Sequence, residues 1–169
     1  MTTRNLLTFS LLAAAVLATP DAHGQTAPPT KQADSAAVLA AVQRTFDAMR
    51  THDTLVLRAV FDSGARIVAT SYDSLGSPRS RSLPIDRFIA AVGSATVPWN
   101  ERIWNPEVRI DDNIATVWTA YDFHAGQEFS HCGTDAIQLV RRTDGWKIVH
   151  IIDTHRTAGC EQRREHHGH

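Results

Sequence analysis

The sequence has 169 residues, of which 43% are hydrophobic and 21% are charged, and its formal net charge at pH 7 is −1. A chain of this length is typical of one domain that buries roughly two-thirds of its unfolded surface. The ordinary composition excludes an intrinsically disordered chain and a disulfide-dense mini-protein. The balanced charge argues against a nucleic-acid-binding protein, which normally carries a basic excess or a basic stripe.

Residues 1–24 have the layout of a secretory signal peptide. Arg4 supplies a positive charge, residues 6–18 are apolar, and Ala22-His23-Gly24 places small residues at a cleavage site before Gln25. An apolar run of 13 residues is too short to span a bilayer. The alternative is a buried N-terminal helix. We therefore expect a periplasmic or secreted protein that has no membrane anchor after cleavage.

Three segments follow the expected cleavage site. Residues 25–33 are polar and contain Pro28-Pro29, which predicts a flexible leader, and residues 34–155 form the predicted domain. Residues 156–169 form a polar tail whose last residues are His166-His167-Gly168-His169. Such a tract can chelate a transition metal, but a solvated tail is the simpler interpretation. The sequence thus predicts no metal site and no cofactor.

Cys132 and Cys160 are the two cysteines of the chain. In an oxidising compartment an even pair is typically a disulfide, and we predict one here. One alternative is a pair of free thiols, with a reactive Cys132 beside His131. The other is a zinc site that also uses His131 and His150, although this spacing fits no compact metal motif.

The first half of the domain predicts three helices and one strand. Val38, Val42, Phe46 and Met49 recur at spacings of four and three, as on one face of a helix that Ser35 would cap. The later elements of this half are a helix at 55–61 capped by Asp53 or Thr54, a strand at 66–72, a polar loop at 73–81, and a helix from Pro84 that ends at Gly93.

The second half predicts four strands, at residues 102–110, 114–124, 128–142 and 146–154. The turns between them are short, and short turns connect antiparallel neighbours. Helices followed by an antiparallel meander indicate an α+β domain.

Three segments also resemble a known family. They are Val117-Trp118-Thr119-Ala120-Tyr121-Asp122-Phe123, Ser130-His131-Cys132-Gly133 and Gly145-Trp146-Lys147-Ile148. With the order of elements, they resemble the nuclear transport factor 2-like superfamily, which includes SnoaL-like proteins and ketosteroid isomerase, and within it exported bacterial proteins described as lumazine-binding-like. The resemblance implies a cone-shaped α+β fold, three N-terminal helices packed on a curved antiparallel sheet, a pocket between them, and a homodimer. No catalytic residue of ketosteroid isomerase matches residue by residue.

The hairpin turns determine which side chains share a face of the sheet. A two-residue turn at Ala125-Gly126 pairs Trp118 with Gly133 and Ala120 with His131. This register determines which side chains of the predicted strand at 128–142 lie on each face of the sheet. A slip of one residue would move every side chain of that strand to the other face.

The last hairpin has two possible registers. A four-residue loop pairs Leu139 with Ile148 and Ile137 with His150. A three-residue loop instead pairs Gln138 with His150. The first register gives the more apolar face, so it is the preferred prediction.

The preferred registers place several polar and aromatic residues at the predicted pocket. The six candidates are Trp104, Trp118, Asp122, His131, Asp135 and His150. In this register Asp135 and His150 are diagonal neighbours, and a carboxylate that orients an imidazole suits general base catalysis. The alternative is a structural pair that satisfies two buried polar groups. Tyr121 and Asp153 are expected on the opposite face.

The sequence thus predicts an exported protein that binds a small apolar or aromatic molecule. One alternative is an isomerase or dehydratase that needs no cofactor and uses His150 as a base oriented by Asp135. Another is a non-catalytic dimerisation module whose cavity is filled by side chains. The fold alone does not separate these functions, because one fold serves many of them.

Overall fold

The computed structural model describes residues 30–160. The predicted signal peptide, the first part of the leader and the histidine-rich end of the tail lie outside the described residues. Within the described part of the chain, no helix is long and apolar enough to cross a membrane.

In the part of the chain that the structure describes, three helices pack against the sheet: α1 (Lys31–Thr51), α2 (Thr54–Val60) and α3 (Ile85–Ser94). The cap of α1 is Thr30, whose hydroxyl accepts a hydrogen bond from the Ala33 amide at 3.2 Å. The expected cap at Ser35 is therefore wrong, and residues 31–33 belong to the helix rather than to a leader. Asp53 caps α2 as predicted, by accepting two backbone hydrogen bonds of 3.0 Å.

Within residues 30–160, six strands form one curved, unclosed sheet with the order β2-β1-β6-β5-β4-β3. Their bounds are β1 (Phe61–Tyr72), β2 (Pro78–Pro84), β3 (Trp99–Asp111), β4 (Ile114–Ala125), β5 (Glu128–Arg142) and β6 (Gly145–Thr154). The fold is α+β, as predicted, but β1 pairs parallel with β6, so the sheet is mixed rather than wholly antiparallel. Strand β2 begins within the predicted loop and takes in its last residues, 78–81. Its exposed polar residues conceal the alternation that marks a strand, which is common at a sheet edge.

The sheet has an inner face, covered by the helices, and an outer face. Along β4, Ala115, Val117 and Tyr121 are buried on the inner face, whereas Trp118 lies on the outer face and is 58% exposed. Side chains of α1 and α3 complete the inner core, which is apolar.

The β4–β5 hairpin has a different register from the predicted one. Ala125 pairs with Glu128, so the turn is Gly126-Gln127, and Gly126 adopts a positive φ of 63°. A register shift follows beside Phe123, and from there Tyr121 pairs with Gly133. The predicted pairing of Trp118 with Gly133 is wrong, because the observed register differs from the predicted one by an odd number of residues. An odd difference exchanges the two faces of the strand. Tyr121 therefore lies on the inner face.

The β5–β6 hairpin contains both of the registers considered for it. Near the turn Leu139 pairs with Ile148, as in the preferred register. A shift follows, after which Gln138 pairs with His150, as in the alternative register. Val149 has no partner on β5 and forms a one-residue bulge. The bulge turns His150 to the outer face, and the residues after it change faces accordingly.

Cys132 and Cys160 form the predicted disulfide, with their Cα atoms 5.9 Å apart. Two backbone hydrogen bonds of 2.8 and 2.9 Å also join Cys132 to Arg156. Residues 156–160, expected in the tail, are therefore held against β5.

Gly133 allows the end of β6 to approach β5. A Cβ atom at this position would lie 1.6 Å from the carbonyl oxygen of Thr154 and 2.7 Å from the ring of Tyr121. We expect Gly133→Ala to lower the free energy of unfolding by about 1–3 kcal/mol, measured by thermal or urea denaturation. Gly64→Ala is the control, since its nearest atom would be 3.8 Å away on Asp62. Equal stability of the two variants would contradict the close approach.

Candidate functional site

A cavity of about 230 Å³ lies between the helices and the inner face of the sheet. Its walls are apolar on most sides and come from helices α1 and α3 and from five of the strands, all except β2. The apolar lining residues are Phe46, Met49, Ile67, Phe88, Trp99, Phe123 and Ile151. Polar side chains are grouped at one end. They are Glu101, Tyr121, His131, Asp135 and Asp153. Thr45 also lines the cavity, and its hydroxyl donates to the Ala41 carbonyl.

Aromatic rings form one continuous wall of this cavity. Phe88 lies 6.2 Å from Trp99, and Trp99 lies 5.7 Å from Phe123 at an interplanar angle of 85°. His131 extends the row, with its ring centroid 5.0 Å from that of Phe123. A wall of this kind offers both ring faces and ring edges to a planar molecule.

A charged surface cleft of about 460 Å³ adjoins the cavity between α1 and β3. Asp47, Arg50 and Arg102 line the cleft, and Phe46 and Glu101 line both the cleft and the cavity. Glu101 therefore stands where the cavity meets the surface.

The polar end is organised by the pairing of β5 with β6. Asp135 and Asp153 lie directly opposite each other on the inner face. The Tyr121 hydroxyl is 2.8 Å from Oδ2 of Asp153, to which it donates, and 3.2 Å from the Thr154 carbonyl. Burial and the nearby Asp153 charge raise the pKa of Tyr121, so its hydroxyl keeps its proton. Two carboxyl groups in this position repel each other when both are ionised.

Glu101 approaches Asp135 closely enough for the two carboxyl groups to share a hydrogen bond. Burial, followed by the Asp135 charge, raises the pKa of Glu101 well above its ordinary value. Burial also raises the pKa of Asp135, to about 7, although the hydrogen bond from Glu101 opposes this rise. The direction of both changes means that Glu101 keeps its proton at neutral pH. Its carboxyl group therefore donates a hydrogen bond to Asp135.

Two carboxylate oxygens at this end are buried and lack a partner. Among residues 30–160, no N–H group or hydroxyl donates to Oδ2 of Asp135 or to Oδ1 of Asp153. A buried carboxylate oxygen without a donor is costly, because it has lost its water. The cavity end is therefore suited to a ligand that supplies donors or positive charge.

Two histidines complete this end of the cavity. The rings of His131 and His155 stack with their centroids 3.6 Å apart and their planes at 13°. Burial lowers the pKa of His131 to about 4, with a smaller effect of His155 in the same direction. His131 is therefore a neutral imidazole at neutral pH.

Of the six predicted pocket residues, His131 and Asp135 line the cavity. Trp118 projects from the outer face. Asp122 is buried there and binds the guanidinium of Arg102, whose Nε is 2.8 Å from Oδ1. Trp104 lies beside an irregularity in β3, with the Arg102 guanidinium 5.8 Å from its ring. These three residues do not line the cavity.

The predicted pair of Asp135 and His150 does not form. His150 pairs with Gln138 beyond the Val149 bulge and lies on the outer face, whereas Asp135 lies on the inner face. Asp153 occupies the place opposite Asp135 that the predicted register gave to Ile152.

Sequence reasoning missed four residues of this site, namely Glu101, Tyr121, Asp153 and His155. Glu101 precedes the predicted start of its strand, and the others were placed on the outer face or at the domain end. One signal was available. His131 and Asp135 are separated by an even number of residues along β5, as are Asp153 and His155 at the end of β6, so extended backbone directs the members of each pair to the same face.

The raised pKa of Asp135 predicts a pH-dependent effect of Asp135→Asn. Its carboxyl group has an ordinary pKa of 3.8 and a folded pKa of about 7. The folded state therefore binds more protons than the unfolded state between these values, and this carboxyl group destabilises the fold increasingly as pH rises through that window. Asparagine does not ionise. We expect the melting temperature of the variant to exceed that of the wild type by roughly 5 °C at pH 8, and by much less at pH 4.5.

Asp111→Asn is the matched control, because Asp111 is exposed. Its melting temperature is expected to follow that of the wild type at both pH values. A gain for Asp135→Asn that is the same at pH 4.5 and pH 8 would contradict the raised pKa.

The sequence matches a family model described as "Putative lumazine-binding" over residues 33–151. None of the curated proteins matches the chain. Among the similar solved structures is an NTF2-like protein of unknown function from Silicibacter pomeroyi. It is 20% identical, covers 76% of this chain and 100% of its own, and has a TM-score of 0.58.

Two further solved structures have the same fold. A protein from Kribbella flavida is 19% identical over 80% of this chain and 99% of its own, with a TM-score of 0.59. An NTF2-like superfamily protein from Salmonella enterica is 12% identical over 77% of this chain and 96% of its own, also with a TM-score of 0.59. At these identities the likeness establishes the fold alone. The family model covers most of the domain, and the chain belongs to this lumazine-binding-like family of the nuclear transport factor 2-like superfamily.

Proposed function

We propose that the protein binds a small, flat heteroaromatic molecule in the inner-face cavity. The observation that carries the proposal is Oδ2 of Asp135, a buried carboxylate oxygen at the cavity end that has no donor among the described residues. A ring N–H of the ligand would donate to this oxygen and restore the hydrogen bond that burial removes. Glu101, which shares a proton with Asp135, is the adjacent polar contact.

The remainder of the cavity supports a planar and largely apolar ligand. Phe88, Trp99 and Phe123 offer ring faces and edges, and aliphatic side chains fill the other walls. Pockets for small molecules are typically apolar with a few placed polar groups. The volume of about 230 Å³ suits a compact bicyclic ring system better than an extended chain.

The family description supports a specific probe. Lumazine is a planar, bicyclic pteridine-dione whose ring N–H groups are hydrogen-bond donors. It combines the flat ring faces that the aromatic wall favours with the donors that Asp135 lacks. Lumazine is therefore the first molecule to test.

We expect lumazine to bind the full chain and to quench the fluorescence of Trp99, which lines the cavity. The comparison ligand is 1,3-dimethyllumazine, in which methyl groups replace both N–H donors of the dione ring. We expect it to bind at least tenfold more weakly, because a site built for a donor leaves its own acceptor unpaired when the donor is missing. Isothermal titration calorimetry measures both affinities.

Two variants accompany this titration. Asp135→Ala removes the acceptor and is expected to weaken the binding of lumazine at least tenfold. His150→Ala changes a residue of the outer face and is expected to leave the affinity unchanged. Equal affinities for the two ligands, or equal effects of the two variants, would contradict the proposal.

Proton transfer is a second candidate function, favoured by the same pair of carboxyl groups. A group whose pKa is about 7, as for Asp135, can both accept and donate a proton near neutral pH. The predicted catalytic partner His150 has no part in it, because His150 lies on the outer face. Bound lumazine that is recovered unchanged favours the binding protein, whereas a modified product that Asp135→Asn abolishes favours the enzyme.

We also propose that the protein is exported. The pattern of residues 1–24 supports this, and the disulfide between Cys132 and Cys160 suits an oxidising compartment. Expression of the full gene in a Gram-negative host is expected to yield a periplasmic protein whose first residue is Gln25, as read by N-terminal sequencing. Recovery of cytoplasmic protein that retains Met1 would contradict export. The homodimer implied by the resemblance also stays a prediction.

A further inference from the structure

Two histidines and one carboxylate meet at the polar end of the cavity. His131, Asp153 and His155 each have one possible ligand atom within 4.8 Å of those of the other two. We propose that these three residues bind a divalent transition-metal ion of the zinc type. This site is separate from the contact proposed for the organic ligand, because it uses Asp153 and leaves Oδ2 of Asp135 available.

The backbone brings the three side chains together from two strands. Asp153 and His155 are two residues apart, and the Val149 bulge turns this part of the chain so that Asp153 faces inward. The amide of His155 donates to the Thr70 carbonyl at 2.7 Å, and the next residue, Arg156, pairs with Cys132. His155 is therefore fixed between β1 and β5, beside His131.

The chemistry of the three groups suits a first-row divalent ion. Imidazole nitrogen and carboxylate oxygen are both common ligands of Zn²⁺, and two histidines with one carboxylate form a recurrent set. Three protein ligands leave one coordination position for water or substrate. Since His131 and Asp153 both line the cavity, an ion held here would be accessible from it.

Two of the three candidate ligands already have the outer partners that metal ligands need. The Ser130 hydroxyl lies 2.9 Å from Nδ1 of His131, which leaves Nε2 for an ion. The Tyr121 hydroxyl donates to Oδ2 of Asp153 at 2.8 Å, which leaves the buried, unpaired Oδ1. Such outer contacts orient a ligand and fix its protonation. An unpaired oxygen beside two imidazoles is the independent observation that points to a cation.

Coordination requires the ligand atoms to approach one another and the two stacked imidazole rings to turn, because an ion lies in the plane of each ring that binds it. A tetrahedral ion with bonds of about 2.1 Å holds its ligand atoms about 3.4 Å apart. The three candidate atoms lie within 4.8 Å of one another, so each pair has to close by at most about 1.4 Å. The stacked rings of His131 and His155 can supply this by rotation about their side-chain bonds.

The test is a calorimetric titration of the metal-stripped protein with ZnSO₄, without organic ligand. The C-terminal histidines would bind zinc by themselves, so the full chain carries the replacements His166→Asn, His167→Asn and His169→Asn in every sample. We expect one ion per chain. His155→Ala and Asp153→Asn are each expected to weaken the binding at least tenfold.

His150→Ala is the matched control, because His150 lies on the outer face and is expected to leave zinc affinity unchanged. Asp153→Asn keeps the size of the side chain, so it remains informative if an alanine variant does not fold. Co²⁺ adds a spectroscopic readout, since its visible absorption reports the coordinating atoms. Zinc affinity that is the same in His155→Ala, Asp153→Asn and His150→Ala would overturn the proposal, as would the absence of binding. Neither outcome bears on the binding of lumazine.

Discussion

The bulge at Val149 is the constraint on which the polar end of the cavity depends. Side chains alternate between the faces of a strand, so one extra residue moves every later side chain to the opposite face. With the bulge, Asp153 faces the cavity, His155 stacks on His131, and His150 faces outward. Without it, the cavity would receive His150 and Ile152 instead. The contribution of β6 to the acidic and histidine character of the site thus rests on one residue that has no partner on β5.

The polar end carries an electrostatic cost for the stability of the fold. Asp135 and Asp153 face each other with Glu101 nearby, and burial raises the pKa of all three carboxyl groups. Apolar residues of similar size in these places would remove an electrostatic cost of the fold. The Tyr121 hydroxyl offsets only part of that cost, because it reaches one oxygen of Asp153. Such groupings of titratable side chains in a cavity are typical of functional sites.

The sequence allowed prediction of the elements better than of their registers. The bounds 128–142 of β5, the Asp53 cap and the disulfide were predicted correctly, because each depends on local chemistry or on cysteine pairing. The bulge could not be read from the sequence. The run from Ile148 to Ile152 has apolar residues at both parities, so alternation does not indicate where the register changes. Because the bulge at Val149 was not predicted, His150 was assigned to the site and His155 was omitted from it.

The two faces of one strand pair connect the disulfide to the cavity. Cys132 lies between His131 and Gly133 on β5, so its side chain points outward, whereas the side chain of His131 and the space beside Gly133 are on the inner face. On the outer side, the bond to Cys160 anchors the chain that follows His155. On the inner side, Gly133 leaves the space that the Thr154 backbone occupies. The disulfide and the absence of a side chain at Gly133 thus both act on the short segment that contains His155. Together they hold His155 beside His131.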